Sequence, residues 1–245
     1  MKKLCIIFCT YFWTLPINPV VILSIGGDCA SASALRISGL RKAAYPFDWI
    51  VSPFSSVYQA FKDDFKHFLE TASLHIRSDN HGIIDYYGFQ FVHDFPTIEN
   101  NDTNSIHTET VLSNNWAEAI PEIQTKYNRR INRLRSVLHG TEPVVFVRRT
   151  NDKKQVIAFR SLIKNLYPQL SFLILVAESF MDTNWHEENV KNFYVNDSIK
   201  WNNIDDWLNV FKELGLTPET TKYLSFDDDD NDHDEDYQIS CAGNH

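Results

Sequence analysis

Hydrophobic and polar positions along this chain follow two different periods, and the switches between them outline the fold. The run PVVILSIGG (Pro19–Gly27) is apolar and β-branched and closes on a glycine pair. That pattern predicts a buried strand with a tight exit. ASASALRISGL (residues 30–40) predicts a helix stopped at Gly39. In residues 54–70, Phe54, Val57, Tyr58, Phe61, Phe65, Phe68 and Leu69 recur at helical spacing, which predicts one amphipathic helix. IIDYYGFQFVHDF (residues 83–95) predicts a strand or hairpin punctuated by Gly82 and Gly88. Residues 96–113 read as a long polar loop.

Helical spacing returns from Trp116 to His139, with Ile120, Ile123, Tyr127, Ile131, Leu134 and Leu138 on one face. The arginines crowding its later turns, Arg129, Arg130, Arg133 and Arg135, read as a solvated face. Beyond it come a strand (Pro143–Arg149), a helix closed by Pro168, strands in LSFLILVAES and NFYVND, and a last helix, IDDWLNVFKELGL. This strand–helix alternation with short links predicts an α/β fold: a three-layer sandwich whose mostly parallel sheet is flanked by helices.

Composition adds bounds to this picture. The chain has 245 residues, 43% hydrophobic and 13% aromatic, enough for one domain with a real core. The formal charge of -9 is concentrated in a tail, where Asp227–Asp236 holds eight acidic residues, and the rest is close to neutral. No basic footprint for nucleic acid is present. The domain reading is a signal-like or anchor segment over 1–19, a catalytic-type domain over 20–224, and an acidic disordered tail over 225–245. The first segment has Lys2 and Lys3 before an apolar run from Leu4 to Leu15, without a small-x-small cleavage site. As a working signal it would give a secreted or periplasmic protein, or N-terminal membrane anchoring. Packed on the domain instead, it would leave a cytoplasmic protein.

Four cysteines, Cys5, Cys9, Cys29 and Cys241, do not form a disulfide framework, and only Cys29 falls in the expected body of the domain. It sits where a buried strand hands over to a helix. A helix N-terminus carries partial positive charge and free N–H groups, which favour a thiolate and can receive an oxyanion. Asp28 is the natural N-cap and a candidate substrate-binding group. The glycine pair permits a sharp turn and close approach of a ligand.

The stretches ILSIGGDC and LRISGLRKAAYPFDWI resemble the opening of an uncharacterised bacterial family described as papain-like cysteine peptidases. FQFVHDF and RRINRLRSVL…VVFVRR are also similar to that family's pattern, and the resemblance runs over roughly Val20 to Arg149. Gly27-Asp28 departs from it, standing where a Ser-Asn-like pair is expected. The resemblance implies a cysteine-dependent hydrolase, and a papain-like α+β arrangement is the alternative fold.

A nucleophilic cysteine needs a base within hydrogen-bond reach, commonly oriented by a third group. His93 ends an apolar strand and matches the family's His-Asp pair, so it is the expected base. His186 is the runner-up. Asp94 would point away from its neighbour His93 on a strand. Asp48, in PFDWI, is therefore the preferred carboxylate, either in the site or as a bracket for its loop, and Asp197 ranks below it. Arg148 ends the VVFVRR strand and is the candidate for binding an anionic substrate group. No metal-ligand spacing or phosphate-binding glycine motif occurs, and no cofactor is expected.

Three functions follow. The first is a cysteine hydrolase or acyltransferase acting on a peptide. The second is a lipase-like esterase with Cys29 in the serine position of a Gly-Asp-Ser opening, acting on small carbohydrate or lipid esters. The third is a non-enzymatic module binding a small anionic or sugar ligand.

Overall fold

The computed structural model describes residues 19–100, 109–180, 184–196 and 203–222. The elements in chain order are β1 (Val21–Ser24), α1 (Cys29–Ile37), α2 (Phe54–Lys62), β2 (His75–Ile76), β3 (Ile83–Ile84), β4 (Gln90–Phe91), β5 (Thr97–Asn100), β6 (Glu109–Leu112), α3 (Ile120–Leu138), β7 (Val144–Arg149), α4 (Lys153–Leu166), β8 (Phe172–Glu178), β9 (Val190–Tyr194) and α5 (Ile204–Glu213). The signal-like segment, the acidic tail and Asp197 lie outside the described residues.

β1, β7, β8 and β9 hydrogen-bond in that order as a four-stranded sheet, every pair parallel. Because side chains alternate along a strand, this sheet has two apolar faces. Val21, Leu23, Val144, Phe146, Ile174 and Val176 face one way. There they pack with Val57 and Phe61 of α2, Ile131 and Leu134 of α3, and Val156 and Phe159 of α4. Ile22, Val145, Val147, Leu173 and Leu175 face the other way, against Ala34 and Leu35 of α1 and Trp207 and Phe211 of α5. Helices therefore cover both faces, and the protein is a three-layer α/β sandwich. The near-continuous apolar strands of the sequence are those of a sheet buried on both sides. Each fully buried phenylalanine contributes about 1.5–3 kcal/mol of transfer free energy, which makes the Phe61–Phe159–Phe146 edge contacts a main support of the α2/α4 layer.

Two antiparallel pieces lie between α2 and α3: the small sheet β2-β3-β4 and the hairpin β5-β6. They contribute the α+β character of the alternative fold. The hairpin corrects the sequence expectation of a structureless polar loop over 96–113. Its strands pair Thr97 with Leu112 and Ile98 with Val111, so ladder bonds hold it where apolar periodicity gave no signal.

The helix expected over 54–70 is also corrected. α2 ends at Lys62, and the next residues turn, with Asp64, Phe65 and Leu69 all at positive φ. Phe65 and Leu69 still reach the core, but from a chain of turns. Fixed outside groups compete for this backbone. The Tyr87 hydroxyl accepts the His67 N–H and donates to Asp63, and the Asp85 carboxylate accepts the Leu69 N–H. Arg130 and Arg133 are buried rather than solvated. Arg133 donates to the Ala44 carbonyl, and the Arg130 guanidinium lies over the Tyr127 ring. No helix among the described residues is long and apolar enough to cross a membrane.

Candidate active site

The site starts at the carboxyl end of β1. Gly26 and Gly27 both adopt positive φ, at 73° and 108°. Any side chain would also collide there. A Cβ on Gly26 would lie 1.9 Å from the Ser52 hydroxyl oxygen, and one on Gly27 would lie 2.9 Å from the Arg149 carbonyl oxygen. The glycine pair lets the strand reverse directly into α1.

Cys29 is the first residue of α1, as the sequence indicated. Asp28 is the N-cap, with its carboxylate accepting the Ala30 N–H at 2.8 Å. Its other oxygen faces the Arg149 guanidinium at 3.3 Å. The Cys29 thiol takes part in no disulfide among the described residues, is largely buried, and clusters with Ala32 and Trp49.

Backbone ties bring His93 to this thiol. The Ser52 hydroxyl accepts the Gly27 N–H at 2.8 Å, and the Ser52 N–H donates to the Gly27 carbonyl. The adjacent Val51 pairs with Gln90, the first residue of β4, through both its N–H and its carbonyl. Three residues beyond Gln90, His93 places Nε2 4.0 Å from the Cys29 sulfur. The nucleophile turn, the 51–52 segment and β4 thus form one hydrogen-bonded chain from Cys29 to His93.

His93 lies beyond the end of β4, and its neighbours fix it. Phe91 and Phe95 are buried on either side, packing on Tyr127 and Trp116. Asp94 accepts from the Lys126 ammonium and the Tyr127 hydroxyl of α3. The Asp94 carboxylate is thus anchored on α3, from a position beyond the end of β4 where strand alternation does not apply.

Asp48 is buried, and its carboxylate accepts from the Arg41 guanidinium and the Tyr45 N–H, each at 3.0 Å. These bonds close the 45–48 turn, so the structure gives Asp48 the bracket reading and does not bring it to His93. The bracket presents Trp49 at positive φ (63°), a costly backbone for a bulky residue. The Trp49 ring lies in the Cys29 cluster with the Arg36 guanidinium 4.9 Å from its centroid.

Arg148 corrects the sequence expectation of a substrate-binding arginine. Only 4% of it is exposed. It donates to the carbonyls of Ile25 and Ser52 at 2.6 and 2.8 Å, and it stacks on Phe54. Burial lowers its pKa to about 9, so it remains a cation at neutral pH. Its face of β7 points into the α2/α4 layer, where it fastens β1 to the 52–54 segment. His186 is exposed on the loop after β8. Ser52 and Arg41 had no signal in the sequence, because their roles are contacts with distant backbone and with a buried carboxylate.

A cleft of about 920 Å³ opens beside His93, walled by Phe95 and Pro96 on one side and by Pro121, Ile123 and Arg129 of α3 on the other. Among the described residues, no group of three or more His, Cys, Asp or Glu side chains is placed to hold a metal ion.

A parallel three-layer sheet with a cysteine at the first helix N-terminus and a histidine facing its sulfur defines an α/β protein with a thiol-centred site. Residues 20–177 match the family described as "Putative papain-like cysteine peptidase (DUF1796)", and the chain belongs to that family. It is also similar to "Uncharacterized protein R408" of Acanthamoeba polyphaga mimivirus, 26% identical over 151 residues, which cover 54% of this chain and 62% of that protein. That relative is viral, so the bacterial origin implied by the resemblance is without support in these comparisons. No solved structure matches.

Proposed function

We propose that the protein is a cysteine hydrolase of peptide bonds in which Cys29 is the nucleophile and His93 the general base. The observation that carries this is the 4.0 Å contact between the Cys29 sulfur and His93 Nε2, with Cys29 at the first position of α1. Family membership supports the coarser class, a cysteine hydrolase.

In the first half-reaction His93 Nε2 takes the thiol proton. The sulfur forms a bond to the substrate carbonyl carbon, and the carbonyl π electrons move to oxygen. Because α1 begins at Cys29, the positive end of its helix dipole would favour that charge. Collapse of the tetrahedral adduct expels the amine, which takes the proton from His93, and leaves a thioester on Cys29. In the second half-reaction His93 removes a proton from water. Hydroxide adds to the thioester, and the acid leaves as the thiolate is regenerated. Arg148 acts as a positioning residue, because it holds Ser52 in the segment that links Cys29 to His93, while Asp48 closes the turn that carries Trp49.

A second reading is favoured by the sheet itself. A three-layer parallel sandwich with Gly-Asp-Cys after its first strand is compatible with an esterase carrying cysteine in the serine position. Both readings share the acyl-thioester. The small-ligand module loses its expected arginine, since Arg148 is bound to carbonyls inside the fold.

The test uses p-nitrophenyl acetate and mass spectrometry. Acetyl transfer to Cys29 is expected, absent in Cys29→Ala and slowed by about 10²-fold or more in His93→Ala. Acetylation that ignores His93, or that occurs elsewhere on the chain, overturns the assignment.

A further inference from the structure

We infer that Arg129 is the specificity-determining residue of this site and that it selects peptides carrying a carboxylate side chain close to the scissile carbonyl. The inference rests on the Cys29–His93 reading and adds the substrate class to it.

His93 lines the approximately 920 Å³ cleft together with one face of α3, where Pro121, Thr125 and Arg129 stand one helical turn apart. From Pro121 to Arg129 that face runs about 12 Å, at about 1.5 Å per residue. An extended peptide advances about 3.3 Å per residue, so the cleft seats about three or four residues. Phe95, Pro96 and Ile123 supply apolar walls.

The cationic groups near the His93 end differ in one respect. Lys126 is ion-paired with Asp94. Arg130 lies over Tyr127, and Arg133 donates to Ala44. Arg135 is paired with Asp64. Arg129 is half-buried in the cleft wall and has no hydrogen bond or ion pair among the described residues. A half-buried guanidinium without an acceptor is a site for an anion, and its planar fork suits a carboxylate. The only carboxylate on the same stretch of α3, Glu122, lies seven residues away at the opposite end of the cleft, about 10 Å along the helix axis. The α3 wall of the cleft is therefore polarised, positive at Arg129 and negative at Glu122.

Position sets which substrate residue meets Arg129. Asp94, the chain neighbour of His93, is bonded to Lys126. Arg129 is one turn beyond Lys126, with Cβ atoms about 5–6 Å apart on the helix surface. Arg129 therefore lines the same cleft as His93, within one helical turn of the Lys126–Asp94 pair that adjoins His93 in the chain. An acidic peptide side chain fits this spacing.

Two chloromethyl ketone peptides, acetyl-Ala-Ala-Glu and acetyl-Ala-Ala-Gln, separate the charge from the shape. In both, the Cys29 sulfur bonds to the methylene carbon, chloride leaves, and the thiol proton passes to His93. Labelling of Cys29 by the full chain is followed by mass spectrometry. The glutamate probe is expected to label about tenfold faster than the glutamine probe, the scale of one charge-assisted hydrogen bond. In Arg129→Gln the ratio of the two rates should fall to about one. In Arg129→Glu the preference should reverse in sign. Salt should erode the wild-type preference. Equal rates in the wild type, or a preference that survives Arg129→Gln, overturn the inference and leave the Cys29–His93 reading standing. If neither probe labels Cys29, both fall together.

Discussion

The buried carboxylate of Asp48 pairs with the guanidinium of Arg41 at 3.0 Å, and this pair sets the turn that delivers Trp49 to the Cys29 thiol. Neither residue touches His93 through any of these bonds. The Pro-Phe-Asp-Trp element is thus a small folding unit. Phe47 is fully buried, Asp48 closes the turn, and Trp49 walls the site.

Removing the Asp48 carboxylate takes away the acceptor that the Arg41 guanidinium and the Tyr45 N–H share inside the fold. Asp48→Ala is expected to lower unfolding free energy by about 3–5 kcal/mol, measured by urea denaturation. Asp48→Asn keeps an acceptor for Tyr45 and should fold. In that variant the pH profile of Cys29 alkylation should match the wild type. A displaced profile would mean that Asp48 acts on the dyad directly.

The nucleophile turn admits no Cβ. Gly26→Ala combines a left-handed backbone with a 1.9 Å clash at Ser52, and Gly27→Ala meets the Arg149 carbonyl. Each substitution should cost at least about 2 kcal/mol in chemical denaturation. By contrast, Gly215→Ala has positive φ but nothing within 4 Å of the added carbon, so its cost should be the backbone term of about 1–2 kcal/mol. A Gly26→Ala variant as stable as Gly215→Ala would contradict the described turn.

Asp85 predicts a pH dependence. Burial pushes its carboxyl up to about 6, against the lowering effect of the backbone N–H groups of Leu69, Phe89 and Tyr87. The folded pKa lies above the unfolded value of 3.8, so between about pH 4 and 6 the folded state binds more protons. Stability from this group is therefore greatest below the unfolded pKa and falls as pH rises through about 6. Comparing urea denaturation of wild type and Asp85→Asn at pH 4 and pH 7 isolates it. The wild type should lose stability relative to the variant on going to pH 7. A constant difference between the two proteins would refute it.

Much of the sheet was legible because buried parallel strands write themselves as apolar β-branched runs. Val144–Arg149 and Phe172–Glu178 lie within the expected segments. Cys29 was legible for a related reason, since Gly-Gly-Asp after such a run specifies both the turn and the cap. The region between α2 and α3 was less so. Phe65 and Leu69 keep helical spacing but are placed by turns that Tyr87 and Asp85 hold from outside. The β5-β6 hairpin is polar and carries no period-two apolar signal. Arg148 misled because the end of a strand in a parallel sheet commonly faces a ligand. Here its side chain points into the helical layer, where two carbonyls need donors. The route from Cys29 to His93 through Ser52, Val51 and Gln90 is backbone bonding between distant segments, which no local pattern encodes.

The central claim is that Cys29 and His93 act as a pair, and alkylation of Cys29 by iodoacetamide across pH tests it most directly. The account predicts fast labelling that reaches its plateau well below about pH 8.5, where a free cysteine is half ionised, and a shift of that profile toward 8.5 in His93→Ala. Slow labelling with an ordinary cysteine profile, unchanged in His93→Ala, would contradict it.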